Sequence, residues 1–183
     1  MTLQSARPSK KSQMLKSVLN SSKKSLTPAL SVPSKRKKNS AYSIQFRRSE
    51  PRATKTTEGG WSLWLPGRLP GLNEITDAAK KGRGKSNLYA EMKHRITEEL
   101  CWSIKAMGIP KLKACRIGFD WIEPDKRRDM DNISAGKKFI LDALVWAGVI
   151  ADDSWKCVKG FMPESFRVIK DNPGVWVYIK EEA

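Results

Sequence analysis

All seven tryptophans lie at or after Trp61, while residues 1–60 carry 14 Lys and Arg against two Glu. The first third therefore supplies 14 − 2 = 12 of the formal net charge of +16, and it also holds 12 Ser and no Trp. Low hydrophobicity combined with like charge buries too little apolar surface to offset the entropy of ordering a chain. A disordered basic tail is expected over residues 1–60, ending at the Gly59–Gly60 pair. Residues 61–183, with 21 Lys and Arg against 17 Asp and Glu, are expected to form one domain with a single hydrophobic core.

The tail admits several readings. It has no acidic residue before Glu50 and is rich in Ser and basic residues, as organelle transit peptides are, and "KRKK" (35–38) has the composition of a nuclear signal. A solvated arm that binds polyanions without sequence preference is the plainer reading, and a stretch translated upstream of the true start would look the same. Cys101, Cys115 and Cys157 show no CxxC spacing, which argues against a disulfide framework or a zinc site and for a reducing compartment. The single His94 excludes sites built from several imidazoles and is expected on the surface. No apolar run approaches the roughly 18 residues of a membrane span.

Within the domain, "WSLWLPG" (61–67) suits a short strand stopped by a Pro-Gly breaker, and "RLPGLNEITDAAKKGRGKS" reads as a long functional loop. From Ser86, the expected N-cap, Leu88, Met92, Ile96, Leu100, Ile104 and Met107 recur at spacings of three and four, giving one helical face that ends at Gly108 and Pro110. "KACRIGFDWIE" (113–123) alternates Cys115, Ile117, Phe119 and Trp121, the pattern of a half-buried strand. Ala135, Phe139, Ile140, Ala143 and Leu144 form a second helical face up to Gly148, with Asp131 or Asn132 as its cap. A loop and strand over 149–165 and a closing strand "GVWVYIK" (174–180) follow. Trp121 and Trp146 are assigned to the core. The expected fold is α+β, in the order strand, helix, strand, helix, strand, strand, with the helices on one face of the sheet.

The chemistry gathers where the second strand ends, at "PDKRRDMDN" (124–132). In extended geometry Asp129 and Asp131 point to the same side. Asp152 and Asp153 return after the second helix. Three carboxylates within about 6 Å repel by roughly 3 kcal/mol per pair at an effective dielectric of about 20, so such a group calls for a cation. Oxygen donors without Cys or His suit Mg²⁺ or Mn²⁺, whose bound water can be deprotonated to attack phosphorus. Lys126, Arg127 and Arg128 before the acids, and Lys137 and Lys138 after them, would stabilise charge developing on a phosphoryl group. Taken alone, D-x-D-N before a helix also serves as a plain cap with an acidic first turn, Lys138 and Asp142 as a surface ion pair, and Asp152 with Asp153 as an exposed turn.

"RRDMDN" followed by "KKFILDALVWAGVIADDSWKCV", together with "LWLPGRLPGLNE", resembles the RusA family of Holliday-junction resolvases of bacteria and their phages, over roughly residues 61–181. The resemblance implies a cytoplasmic, Mg²⁺-dependent endodeoxyribonuclease of bacterial or phage origin. Such an enzyme acts as a homodimer, resolving four-way DNA junctions by paired nicks in recombination and repair. It places the catalytic and metal-binding acids on Asp129, Asp131 and Asp153 and the functional lysine on Lys138, with Lys126, Arg127, Arg128 and Lys137 left for DNA. The segment "ISAG" is an insertion relative to the best-known member and leaves Lys137 a competitor for the lysine role. The long tail has no counterpart in compact members. A non-catalytic nucleic-acid-binding protein that relies on its basic tail is the alternative.

Overall fold

The computed structural model describes residues 43–45, 49–82 and 87–182, all within the unit Asn39–Ala183. Along the chain run β1 (Arg52–Lys55), β2 (Trp61–Pro66), α1 (Leu72–Lys81), α2 (Leu88–Ala106), β3 (Cys115–Glu123), α3 (Met130–Ser134), α4 (Lys137–Trp146), β4 (Val158–Phe161), β5 (Ser165–Val168) and β6 (Gly174–Glu181). The strands form one mixed sheet in the order β1-β2-β6-β3-β4. The first three pairings are antiparallel, whereas β4 and β5 both run parallel to β3, beside its first and second halves respectively. The molecule is α+β with a mixed sheet.

Period-2 patterning decides which side of the sheet the helices cover. Leu63 and Leu65 of β2, Ile117 and Phe119 of β3, and Val175, Val177 and Ile179 of β6 form one cluster with Ile96, Leu100 and Ile104 of α2 and Phe139, Ile140, Ala143 and Leu144 of α4. Each helix contributes residues spaced three and four apart, which is one face. Removing any of these large side chains would open a cavity costing about 2–5 kcal/mol.

The opposite face carries a cross-sheet row: Arg52 pairs Trp64, Trp64 pairs Trp176, Trp176 pairs Asp120, and Asp120 pairs Ser165. The two indoles lie 5.2 Å apart with the Arg52 guanidinium over both, and buried Asp120 takes Ser165 Oγ at 2.6 Å and the Arg167 guanidinium.

Several expectations change. Strand β1 and the turn after it lie within the segment expected to be disordered. The ordered chain therefore begins before Gly59, because β2 supplies a partner ladder and the Trp64 and Trp176 rings hold Arg52. Residues 1–42, with the "KRKK" segment, fall outside the described residues.

The long loop after β2 contains α1, a ten-residue helix whose sparse apolar positions, chiefly Ile75 and Ala78, still reach the core. Ser86 also lies outside the described residues; Asn87 caps α2, its side chain accepting from Ala90 N at 2.9 Å. β3 is buried on both faces instead of one, since Gly118 lies under Met162 and Asp120 is neutralised by Arg167. The strand after the acid pair is two, β4 and β5, separated by Met162–Glu164 with Pro163 between. Trp121 is buried as expected, but Trp146 is 48% exposed and packs beside exposed His94, ring centroids 5.5 Å apart.

Candidate functional site

Two buried anchors set the turn that follows β3. Arg128, read as a phosphate contact, turns its guanidinium inward: Nη1 donates to Leu69 O at 3.1 Å and lies 3.4 Å from Glu123 Oε1, while Nη2 is 3.8 Å from Glu74. Glu123 also receives Arg68 Nε at 3.0 Å. A buried carboxylate at the end of β3 has to be charge-paired, which is why the last of the three basic residues is drawn inside.

The second anchor is Asn132. Rather than capping the helix that contains it, its Oδ1 accepts the Asn73 N–H at 3.1 Å at the start of α1. Gly71 permits this approach, since a Cβ there would collide with Arg128 Nη2 and Asn132 Oδ1.

Between these anchors stand the two acids. Asp129 occupies the N-cap of α3, and its carbonyl accepts from Ile133 N at 3.1 Å, yet its carboxylate caps nothing. Asp131 follows in the first turn of α3, so the extended geometry expected to point both carboxylates to one side ends at Asp129. Both residues are exposed, and neither carboxylate makes a hydrogen bond or ion pair among the described residues. Lys126 and Arg127 are exposed beside them, Arg127 Nε lying 3.6 Å from Asp125.

The two lysines divide cleanly. Lys138 Nζ bridges Asp142 Oδ1 at 2.8 Å and Asp153 Oδ2 at 2.9 Å, and Lys93 reaches the other Asp142 oxygen at 3.1 Å. The Asp142 and Asp153 hydrogen bonds raise the Lys138 pKa against its partial burial, and the Lys138 hydrogen bond holds the Asp153 carboxyl below its usual range. Lys138 thus forms the expected surface pair with Asp142 and also reaches Asp153 of the distant acid pair, leaving Asp152 outside the contact.

Lys137 is pulled the other way, onto Glu164 and over the Phe161 ring at 5.5 Å. Glu164, not visible as a site residue in the sequence, also accepts from Trp121 Nε1 at 2.9 Å and Ser134 Oγ at 2.8 Å. Burial pushes its carboxyl up, but the donors Lys137, Ser134 and Trp121 prevail and hold it below its ordinary value of 4.5. A depressed carboxyl contributes stability that is complete above the unfolded value and is lost as pH falls through the folded one. Glu164→Gln is therefore expected to flatten the acid limb of the stability profile. Glu164→Ala at neutral pH should cost about 2 kcal/mol, because three donors lose their acceptor. Urea unfolding from about pH 3 to about pH 7 checks both.

β4 starts beside Cys115, at the opposite end of β3 from Asp129, so the return loop has to pass the first turn of α4 to deliver Asp153 to Lys138. Among the described residues, no three His, Cys, Asp or Glu side chains stand close enough together to hold a metal ion. The donor chemistry nonetheless fits a hard divalent cation: two uncommitted carboxylates one residue apart, in a stretch (124–136) that holds no Cys or His. Asp153 is tied to Lys138 and is not joined to that pair.

Comparison of the chain with protein-family models and with curated protein sequences finds no match. No helix among the described residues is long and apolar enough to cross a membrane.

Proposed function

We propose that this protein is a Mg²⁺-dependent, structure-selective endodeoxyribonuclease of the RusA kind, acting as a homodimer on four-way DNA junctions by paired nicks in recombination and repair. Its setting would be the cytoplasm of a bacterium or of a phage-infected cell. The observation that carries the reading is the pair Asp129 and Asp131: two exposed carboxylates presented by a turn anchored on both sides, with no hydrogen bond or ion pair of their own among the described residues. Charged groups left idle in this way cost stability through mutual repulsion, and a bound cation would offset that cost.

In this reading Asp129 and Asp131 hold Mg²⁺ or Mn²⁺, while Asp153, the third acid that the resemblance implies, is held by Lys138 and not joined to them. The ion would supply a deprotonated water and Lewis-acid polarisation of the phosphate. The chain's own residues do the rest. Exposed Lys126 and Arg127 grip the phosphate backbone, and Lys138, lying between Asp142 and Asp153, is the cation nearest an expected metal-binding acid. Arg128 and Lys137 position the site from within, by holding the turn and the first turn of α4.

Incubating the full chain with a labelled four-way junction and a matched linear duplex, with Mg²⁺ or with chelator, tests the proposal. Symmetric nicks confined to the junction and to the metal-containing reaction are expected. Equal cutting of the duplex would sink the resolvase part. Binding without cutting under all conditions would favour the non-catalytic nucleic-acid-binding protein.

A further inference from the structure

Indole is costly to leave in water, and Trp155, two residues beyond Asp153, is 92% exposed. Two residues of chain span at most about 7 Å, so the ring's anchor point is close to the Lys138–Asp153 pair. It is not carried on a slack loop. The carbonyl of Ser154 accepts from Cys157 N at 2.9 Å and Val158 N at 2.8 Å, while Cys157 O receives Cys115 N from the start of β3 at 2.8 Å. Lys138 fixes the other flank through Asp153. Among the described residues the ring stacks on no aromatic group and under no cation. Met130, placed between the two proposed ligands, is likewise 63% exposed.

A hydrogen-bonded turn that holds a bare indole in solvent offers its face to a planar partner. A protein partner would call for a continuous apolar patch. Here the ring's chain neighbours are charged or small instead: Asp152, Asp153, Ser154 and Lys156. An aromatic face with Lys156 next to it in the chain and Lys138 on the far side of Asp153 matches the stacking of a nucleobase whose backbone is held by basic side chains.

Resting on the proposed endonuclease reading, we infer that Trp155 stacks on a nucleobase at the margin of the cleavage site. It thereby favours a branch, where a base has an uncovered face, over continuous duplex, where neighbouring pairs cover both faces. It acts as a specificity-determining residue alongside Asp129, Asp131 and Lys138.

The test uses full-length protein, with chelator present so that no cleavage is needed, and 2-aminopurine placed either at the branch of a four-way junction or inside a matched duplex. Wild type and Trp155→Phe are expected to change the probe's fluorescence at the branch. Trp155→Ala should lose that response and bind the junction roughly tenfold more weakly, with duplex binding and melting temperature unchanged. A Trp155→Ala protein that retains both the response and the affinity overturns the inference. So does a wild type without any response at the branch, or a Trp155→Ala protein whose only change is a halved mass in sedimentation, which would assign the ring to a second copy of the chain. Repeating the reactions with Mg²⁺ separates the two claims. Stacking without cleavage removes the nuclease reading alone, and cleavage without stacking removes Trp155 alone.

Discussion

Asp131→Asn is expected to abolish Mg²⁺-dependent cleavage of a four-way junction, a loss greater than the roughly hundredfold that follows when an outer partner of a metal site is removed. Because the Asp131 side chain is exposed and makes no hydrogen bond or ion pair among the described residues, unfolding free energy should stay within about 0.5 kcal/mol of wild type. Junction binding in chelator should be equal or tighter, since one charge that repels phosphate has gone. Cleavage rates with Mg²⁺, thermal unfolding and a binding titration check the three statements. A variant that unfolds, with metal making no difference, would return Asp131 to the role of an acidic residue in a helix's first turn.

Arg128→Ala and Arg127→Ala should behave as opposites although the residues are adjacent. Arg128 is 7% exposed along its side chain and is the ion partner of buried Glu123, so its loss should cost about 3 kcal/mol. That figure is at the low end for a buried pair because Arg68 still reaches Glu123. Arg127, 87% exposed, should cost no more than about 0.5 kcal/mol in stability but should weaken junction binding and lessen its salt dependence. Urea unfolding and binding at two salt concentrations distinguish the two variants. If Arg128→Ala leaves stability intact and removes only DNA binding, the inward pairing carries no weight in solution.

These two arginines also mark where the sequence stops being informative. Patterning placed strands at 61–67, 113–123 and 174–180, within two residues of β2, β3 and β6, and the helical faces of α2 and α4, because each is set by local periodicity. The position of the D-x-D-N turn at the exit of β3 was legible for the same reason. What was not legible depends on partners far along the chain. Nothing local says that Arg128 turns in while Arg127 turns out; Glu123 and the carbonyl of Leu69 decide it. Asn132 looks like a cap for its own helix until α1, 59 residues away, offers a bare N–H. The Lys137 and Lys138 alternatives separate only once Glu164 is brought beneath Trp121. β1 escaped notice because a strand that is mostly exposed and carries Arg52 and Lys55 has no apolar alternation to read.

That short strand has a practical consequence. β1 occupies the outer hydrogen-bonding margin of β2, and nearby Ser49 Oγ accepts the Trp64 indole N–H at 2.8 Å and donates to Asn172 at 2.8 Å. Both borders of the sheet are poor templates for further strands: β1 is brief and charged, and the far border is broken into β4 and β5 around Pro163. Cutting the chain at Gly59 to remove the basic tail would uncover "WSLWLP", six residues with bulky apolar side chains and a row of unpaired backbone groups. Such a bare strand invites edge-to-edge aggregation. A truncation meant to isolate the tail's contribution to DNA binding should therefore end before Ser43, so that the segment guarding β2 stays with the domain.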